Sequence, residues 1–268
     1  MTDEKSRDAQ SEMVCVREVE KIYGGKSGIE GFSMTIGKGG IHGILGARRS
    51  GKTTLMELLA GCVCADAGSI AIGGRELSVD AVDVKQKIGY VPQNMSVCSD
   101  MTVGEFLNFV GQTRKVETNK RYRQIKEALD LTGLETAQNR LMGRLTSYES
   151  KKVFLAAALL GNPDVLLLDE PIPVCSAEQR RELEGLVQML GKIKTVLLAT
   201  ASFETARSLC EDVVILSDGR QLVAGSFEAL ESKLAKSDEA VSLEDLYRSL
   251  VAASNAEVQG SAGKERQA

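Results

Sequence analysis

The chain has no excess of positive charge. Its 33 lysines and arginines face 37 aspartates and glutamates, a formal net charge of -4. That excludes the basic patch or stripe with which a chain would grip nucleic acid. Long apolar runs are missing too. The longest, around Val153–Leu160 and Val165–Leu168, fall far short of the roughly 20 residues a membrane-crossing helix needs. Any work at a membrane would therefore pass through a partner. Residues 1–12 are charged and polar, without the apolar segment of a secretory leader. His42 is the only histidine, and it falls within a strand-like run. The cysteines, at 15, 62, 64, 98, 175 and 210, are scattered. Cys62 and Cys64 form C-x-C, but no second pair lies near enough to complete a zinc-ligand set. Without secretion the thiols are expected to be reduced and buried.

Against these absences stands one dense motif. Residues 46–53 read Gly46-Ala47-Arg48-Arg49-Ser50-Gly51-Lys52-Thr53, a complete G-x-x-x-x-G-K-T loop. Glycines let the backbone turn tightly enough to aim several N–H groups at one anion, and the following helix adds the positive end of its dipole. Lys52 would reach the terminal phosphates, and the Thr53 hydroxyl can ligate Mg²⁺. The flanks agree: Ile41–Leu45 reads as a buried strand, and the run from Thr54 to Leu59 as the helix behind the loop. The motif predicts a bound nucleoside triphosphate.

At 268 residues the chain has room for one large α/β domain with a subdomain. Residues 1–12 read as a disordered lead-in and 253–268 as a disordered tail. Between them strands are expected at Val14–Val19, Phe32–Ile36, Ile41–Leu45, Ser69–Ile72 and Ile88–Val91. From Thr102 to Leu160 no strand is expected. There Thr102-Val103-Gly104-Glu105 resembles a capping box, and Arg121–Leu131 carries Ile125, Ala128, Leu129 and Leu131 at helical spacing. Strands resume at Val165–Leu168, Thr195–Ala199 and Val213–Leu216, with helices beginning near Ser176 and Phe203. Asp218-Gly219 signals a hairpin into Gln221–Ala224, and helices close the chain at about Glu228–Leu234 and Leu243–Val251.

Val165–Glu170 is an apolar strand ending in two carboxylates. In a parallel sheet, ligands sit beyond the strand C-termini, so Asp169 would hold Mg²⁺ through water and Glu170 would polarise an attacking water. Gln93, closing Tyr90-Val91-Pro92-Gln93, could contact Mg²⁺ and that water without adding charge. Tyr23 has two readings, a ring stacked on adenine or an edge-strand aromatic.

This order of parts resembles the ATP-binding subunits of ABC transporters, from about Val14 to Leu250, and within them the drug-efflux and gliding-type exporters. Met101–Leu107, Ala158–Pro163 and Ser242–Leu246 match stretches of that group. The resemblance implies an α/β P-loop NTPase of the RecA-like type, with an antiparallel β-subdomain and a helical subdomain at about 95–160, all within residues 13–252. It implies ATP and Mg²⁺ as cofactors. The cofactor-binding set is then Tyr23, Gly46, Ala47, Arg48, Arg49, Ser50, Gly51, Lys52, Thr53 and Thr54. Thr53, Gln93 and Asp169 would lie at the metal, and Glu170 and Gln93 at the chemistry. It further implies a transmembrane permease subunit, a second ATP-binding subunit and a cytoplasmic, peripheral place on the inner face of the cell membrane.

The departures from the family pattern concentrate where the ATP site closes. The signature, LSGGQ or LSKGY in the family, falls on Leu145-Thr146-Ser147-Tyr148-Glu149. Tyr148 takes the most constrained glycine position, Glu149 adds a negative charge facing the partner's triphosphate, and Thr146 is left to offer a hydroxyl. Ser176 stands where the family's cross-dimer aspartate is expected, and reads as a helix N-cap with Gln179. Ala201 aligns with the switch histidine. Arg48 and Arg49 replace the usual Asn-Gly, where they could pair with phosphate, strain the turn or simply be solvated. Losing one preorganised donor costs about a hundredfold to thousandfold in rate. The expectation is an energy-coupling export ATPase with reduced or partner-dependent turnover, in a heterodimer rather than a homodimer. The alternative is a regulatory nucleotide-binding subunit that acts by ATP-driven dimer closure without significant hydrolysis.

Overall fold

The computed structural model describes residues 12–24, 26–94, 99–234 and 242–249. The lead-in short of its last residue, the tail and Cys98 lie outside these residues. Two sheets organise the chain. The first is antiparallel and is built from β1 (Glu12–Tyr23), β2 (Lys26–Gly37), β4 (Ala67–Ile72) and β5 (Arg75–Glu76), in the order β2-β1-β4-β5. The second holds β3 (Ile41–Gly46), β6 (Ile88–Val91), β7 (Val165–Asp169), β8 (Thr195–Thr200), β9 (Asp212–Ser217) and β10 (Arg220–Ser226), in the order β10-β9-β3-β8-β7-β6. All its pairings are parallel except the edge hairpin β9–β10. Asp218 (φ 49°) and Gly219 (φ 77°) make that hairpin's turn, as the two-residue loop requires.

The helices are α1 (Lys52–Leu59), α2 (Val82–Gln86), α3 (Val103–Thr113), α4 (Thr118–Leu131), α5 (Ser147–Leu159), α6 (Ala177–Gly191), α7 (Phe203–Leu209) and α8 (Phe227–Leu234), with α9 at 243–249. Alternation along the strands decides which layer each residue joins. Val165 and Leu167 face Leu55, Met56 and Leu59 of α1 and the apolar side of the antiparallel sheet. Leu166 and Leu168 face Leu186, Val187 and Leu190 of α6 on the other side. With both faces covered, the central strands read as unbroken apolar runs. A third cluster, including Phe106, Leu107, Ile125, Leu129 and Met142, joins α3 and α4 to α5. Thr102 caps α3 with a complete capping box to Glu105.

Several expectations need correction. The first hairpin runs well beyond Val14–Val19 and Phe32–Ile36, because Lys21, Ile22 and Tyr23 find partners in Ile29, Ser27 and Lys26. Strand formation there comes from the paired strand rather than from local propensity. Leu131 is 37% exposed and stands off the apolar face of α4. The thiols are not uniformly buried: Cys15 and Cys210 are, Cys175 is half-buried, and Cys62 and Cys64 are exposed. Burial pushes the Cys210 thiol up to about 12, which keeps it protonated and inert.

Leu167 is fully buried between α1 and its own sheet. Leu167→Ala is expected to cost about 2–5 kcal/mol, read as a lowered urea midpoint with an unchanged slope.

Candidate functional site

The strand order explains how distant segments meet. β3, β8, β7 and β6 are neighbours and run parallel, so their C-terminal ends open on one edge of the sheet. The loop at 46–53 leaves β3, Thr200 and Ala201 leave β8, Asp169 and Glu170 end β7, and Gln93 follows β6. A cavity of about 590 Å³ lies there, lined by Arg48, Arg49, Gly51, Lys52, Thr53, Thr54, Gln93 and Glu170 among others. Gly46, Ala47 and Ser50 are buried beneath it.

The loop is wound for an anion. Gly51 (φ 103°) begins α1 with no side-chain cap, leaving first-turn N–H groups for a ligand. A Cβ at Gly51 would sit 2.7 Å from the Gly28 carbonyl oxygen, so the position requires glycine. Lys52 is buried, and its Nζ donates to the carbonyls of Gly46 and Ala47, both at 2.8 Å. Burial lowers its pKa. Phosphate oxygens offer that ammonium stronger acceptors than two neutral carbonyls.

Asp169 is completely buried, and neither carboxylate oxygen has a hydrogen-bond partner among the described residues. Such an orphan is costly unless something pairs with it. The Thr53 hydroxyl, 3.5 Å from Gln93 Oε1, completes an all-oxygen donor set of the kind that suits Mg²⁺. Glu170 adopts φ 46°. It accepts from the Ala201 N–H at 2.9 Å and the Thr200 hydroxyl at 3.2 Å, and stands 4.0 Å from Lys52 Nζ. Burial raises the pKa of both carboxyls, against the Thr53 hydroxyl and Lys52 at Asp169 and chiefly against Lys52 at Glu170.

The remaining sequence candidates scatter. Tyr23 ends β1, 45% exposed. Its ring lies over Gly28, a cavity-wall residue, where a Cβ would come within 3.0 Å of it. Arg48 and Arg49 are exposed on the rim, and Arg49 is held at φ 66°, the strained alternative. Residues 145–149 do not line this cavity. Glu149 does not present a free charge: it turns back to accept from the Thr146 N–H at 2.8 Å and hydroxyl at 3.0 Å, and pairs with Arg140 at 2.5 Å. The Thr146 hydroxyl also accepts from the Glu149 N–H, so it is engaged on both sides. Tyr148 folds inward beneath Lys152, whose Nζ sits 5.3 Å from the ring centre and 2.6 Å from Glu182. Ser176 caps α6 with Gln179 as expected. His42 lies at the other end of β3, its ring nitrogens 2.9 Å from Asp212 and 3.0 Å from the Gly39 carbonyl.

Sequence reasoning missed Lys151 and Thr200. Lys151, buried on α5, donates to the carbonyls of Pro92 and Gln93 at 3.0 and 3.2 Å and so fixes the loop that presents Gln93. Its signal was the pair Lys151-Lys152 leading a wholly apolar helix run. Thr200 carried no signal beyond its place at a strand end.

The profile of a family described as "ABC transporter" matches residues 29–173. A Nod factor export ATP-binding protein I of Burkholderia lata is 33% identical over 80% of this chain and 71% of its own length. A probable multidrug ABC transporter ATP-binding protein, YbhF of Escherichia coli, is 32% identical over 83% of this chain and 39% of its own. Among solved structures, an ATP-binding subunit of an ABC transporter superposes with a TM-score of 0.78 at 21% identity, over 89% of this chain and 99% of that one. An ATP-binding cassette dimer in a post-hydrolysis state, bound to ADP and Pi, superposes with a TM-score of 0.73 at 22% identity, over 80% and 98%.

Two outcomes are expected. Arg49→Gly, by removing a side chain from a left-handed position, stabilises the nucleotide-free chain by about 1 kcal/mol, read by urea denaturation. The Arg140 guanidinium, more than the Thr146 cap, holds the Glu149 carboxyl down to about 2. Because the folded value is depressed, its stabilisation is complete above the usual carboxyl pKa and is lost as pH falls toward about 2. Arg140→Ala should return the Glu149 titration, followed by carboxyl carbon NMR, toward the ordinary range.

Proposed function

Because the chain belongs to the ABC transporter family of ATP-binding domains, we propose that it is the energy-coupling subunit of an exporter. In this reading it binds MgATP and drives a separate membrane subunit, with weak or partner-dependent turnover. The observation that carries the reading is the Glu170 carboxylate, held by the β8 loop 4.0 Å from Lys52 in the wall of the phosphate-loop cavity. Export is supported by the printed names of the relatives. No helix among the described residues is long and apolar enough to cross a membrane, so the chain would sit on the inner face of the cell membrane through its permease partner.

The chain's own residues divide the work. Lys52 exchanges its two carbonyl acceptors for the terminal phosphates, and the free N–H groups of α1 hold the same anion. Thr53, Gln93 and Asp169 would hold Mg²⁺, directly or through water. That ion, when bound, neutralises phosphate charge. Glu170 takes the proton from the attacking water. No side chain at Ala201 reaches the phosphates, so the donor that the family places there has to be done without. Closure by a second ATP-binding subunit with an intact signature would leave this chain's phosphate-loop site the better-equipped one, which favours a heterodimer.

A second reading, a regulatory subunit that closes on ATP without significant hydrolysis, is favoured by one observation. The start of α5 carries a capping box between Thr146 and Glu149, with Arg140 neutralising the carboxylate, so two of the N–H groups there are already engaged.

The test is MgATP binding and turnover of the purified chain, alone and with its membrane and ATP-binding partners. Lys52→Ala should abolish binding, and Glu170→Gln should lower turnover at least about a hundredfold with binding kept. Binding unaffected by Lys52→Ala would sink the proposal. A Glu170-dependent turnover defeats the regulatory reading, and Ala201→His should raise turnover if the missing donor limits it.

A further inference from the structure

Ala201 has no side chain with which to act, yet both of its backbone polar groups are engaged. Its N–H donates to Glu170 Oε1 at 2.9 Å, and its carbonyl accepts from the Tyr247 hydroxyl at 2.6 Å. Beside it, Thr200 donates to Glu170 Oε2 at 3.2 Å and accepts from the Ser202 N–H at 3.1 Å. The loop after β8 therefore grips Glu170 on one side and is gripped from α9 on the other.

That second grip is firmly built. Tyr247 is 4% exposed, and its ring stacks on Phe203 with centroids 6.0 Å apart. Phe203 in turn meets Phe227 edge to face at 5.8 Å. Leu243, one turn earlier on α9, is buried in the same cluster. A buried phenol whose ring is fixed by packing loses little freedom in making its bond. The half-buried Ala201 carbonyl, deprived of that donor, has only partial access to water as a replacement. None of α9 lines the phosphate-loop cavity.

We propose that Tyr247 is a positioning residue for the phosphoryl chemistry: by pinning the Ala201 carbonyl it fixes the loop that holds the Glu170 carboxylate beside Lys52. The consequence for turnover rests on the hydrolytic reading above; the linkage itself does not. It makes the last described helix part of the site, although it reaches neither nucleotide nor metal. It also gives residue 201 a role carried by its main chain alone.

The test compares amide hydrogen exchange at Ala201, without nucleotide, in the wild type, Tyr247→Phe, Glu170→Ala and the double variant. Tyr247→Phe keeps the ring and its stacking and deletes only the donor. Exchange at Ala201 should rise about fivefold, the factor an ordinary hydrogen bond is worth, with the amides of β7 and β8 unchanged. The double variant should depart from the product of the single effects, as residues in one network do. In turnover, Tyr247→Phe should lower kcat about tenfold and leave KM for ATP within about twofold. Unchanged Ala201 exchange in folded Tyr247→Phe overturns the proposal, as does strict independence of the two substitutions. So does a loosened loop with unaltered kcat. Should Tyr247→Phe not fold, Glu170→Ala still decides the first link, since it deletes the acceptor of the Ala201 N–H and exchange there must rise too. Should the wild type show no turnover, the hydrolytic reading falls while the exchange coupling still decides the linkage.

Discussion

Burying a lysine and two carboxylates at the ends of adjacent parallel strands is the constraint around which the rest of the chain is arranged. Lys52 and Asp169 are almost without solvent, and Glu170 is about a quarter exposed. Each would pay heavily for desolvation if left alone. Lys52 is relieved by two carbonyls of its own loop, and Glu170 by the main chain and hydroxyl after β8. Asp169 is left without a partner. In the proposed function a nucleotide and its cation would supply what is missing: oxygens for the ammonium and positive charge for the carboxylate. The apolar strands behind, packed on both faces, hold these groups in register without contributing charge of their own.

The start of α5 is the opposite arrangement. A helix N-terminus can hold a phosphate only if its N–H groups are free. Here Thr146 and Glu149 satisfy each other, and Arg140 neutralises the carboxylate that does so. Tyr148, which would crowd an approaching ligand, is folded away over Lys152 and Glu182. The first-turn N–H groups of α1 thus have no side-chain cap, whereas at the start of α5 the Thr146 and Glu149 N–H groups are taken up from within. This asymmetry is stronger than the substitutions alone implied. Glu149 is not a free charge there, because its carboxylate is engaged by Thr146 and Arg140.

Most of the phosphate-loop site was legible because its residues are local. The motif at 46–53, the strand ending in Asp169-Glu170 and the Ser176 cap each lie within a few consecutive positions, and periodicity places them correctly. What was not legible is what acts across the fold. Lys151 holds the Gln93 loop from a different helix, and Glu149 finds Arg140 outside the motif. Tyr247 reaches Ala201 from the far end of the chain. The long first hairpin was missed for the same reason, since its polar half is ordered by the strand beside it and by Asp66 from elsewhere in the chain.

Strain falls at the same edge. Of the non-glycine residues with positive φ, Arg49, Glu170 and Asp218 face the cavity, and each such residue costs about 1–2 kcal/mol. At Glu170 the strain turns the carboxylate out of line with Asp169, so that one group is buried behind Thr53 while the next reaches the β8 loop. Two adjacent carboxylates thereby meet different surroundings, one fully buried near the Thr53 hydroxyl and Gln93 main chain without a well-formed hydrogen bond among the described residues, and one supplied with two donors. The division of labour proposed for them would follow from that turn in the backbone, because the side chains themselves are nearly alike. The β8 loop can keep its side of the arrangement with an alanine at its centre, since main-chain groups do the holding and α9 holds the main chain.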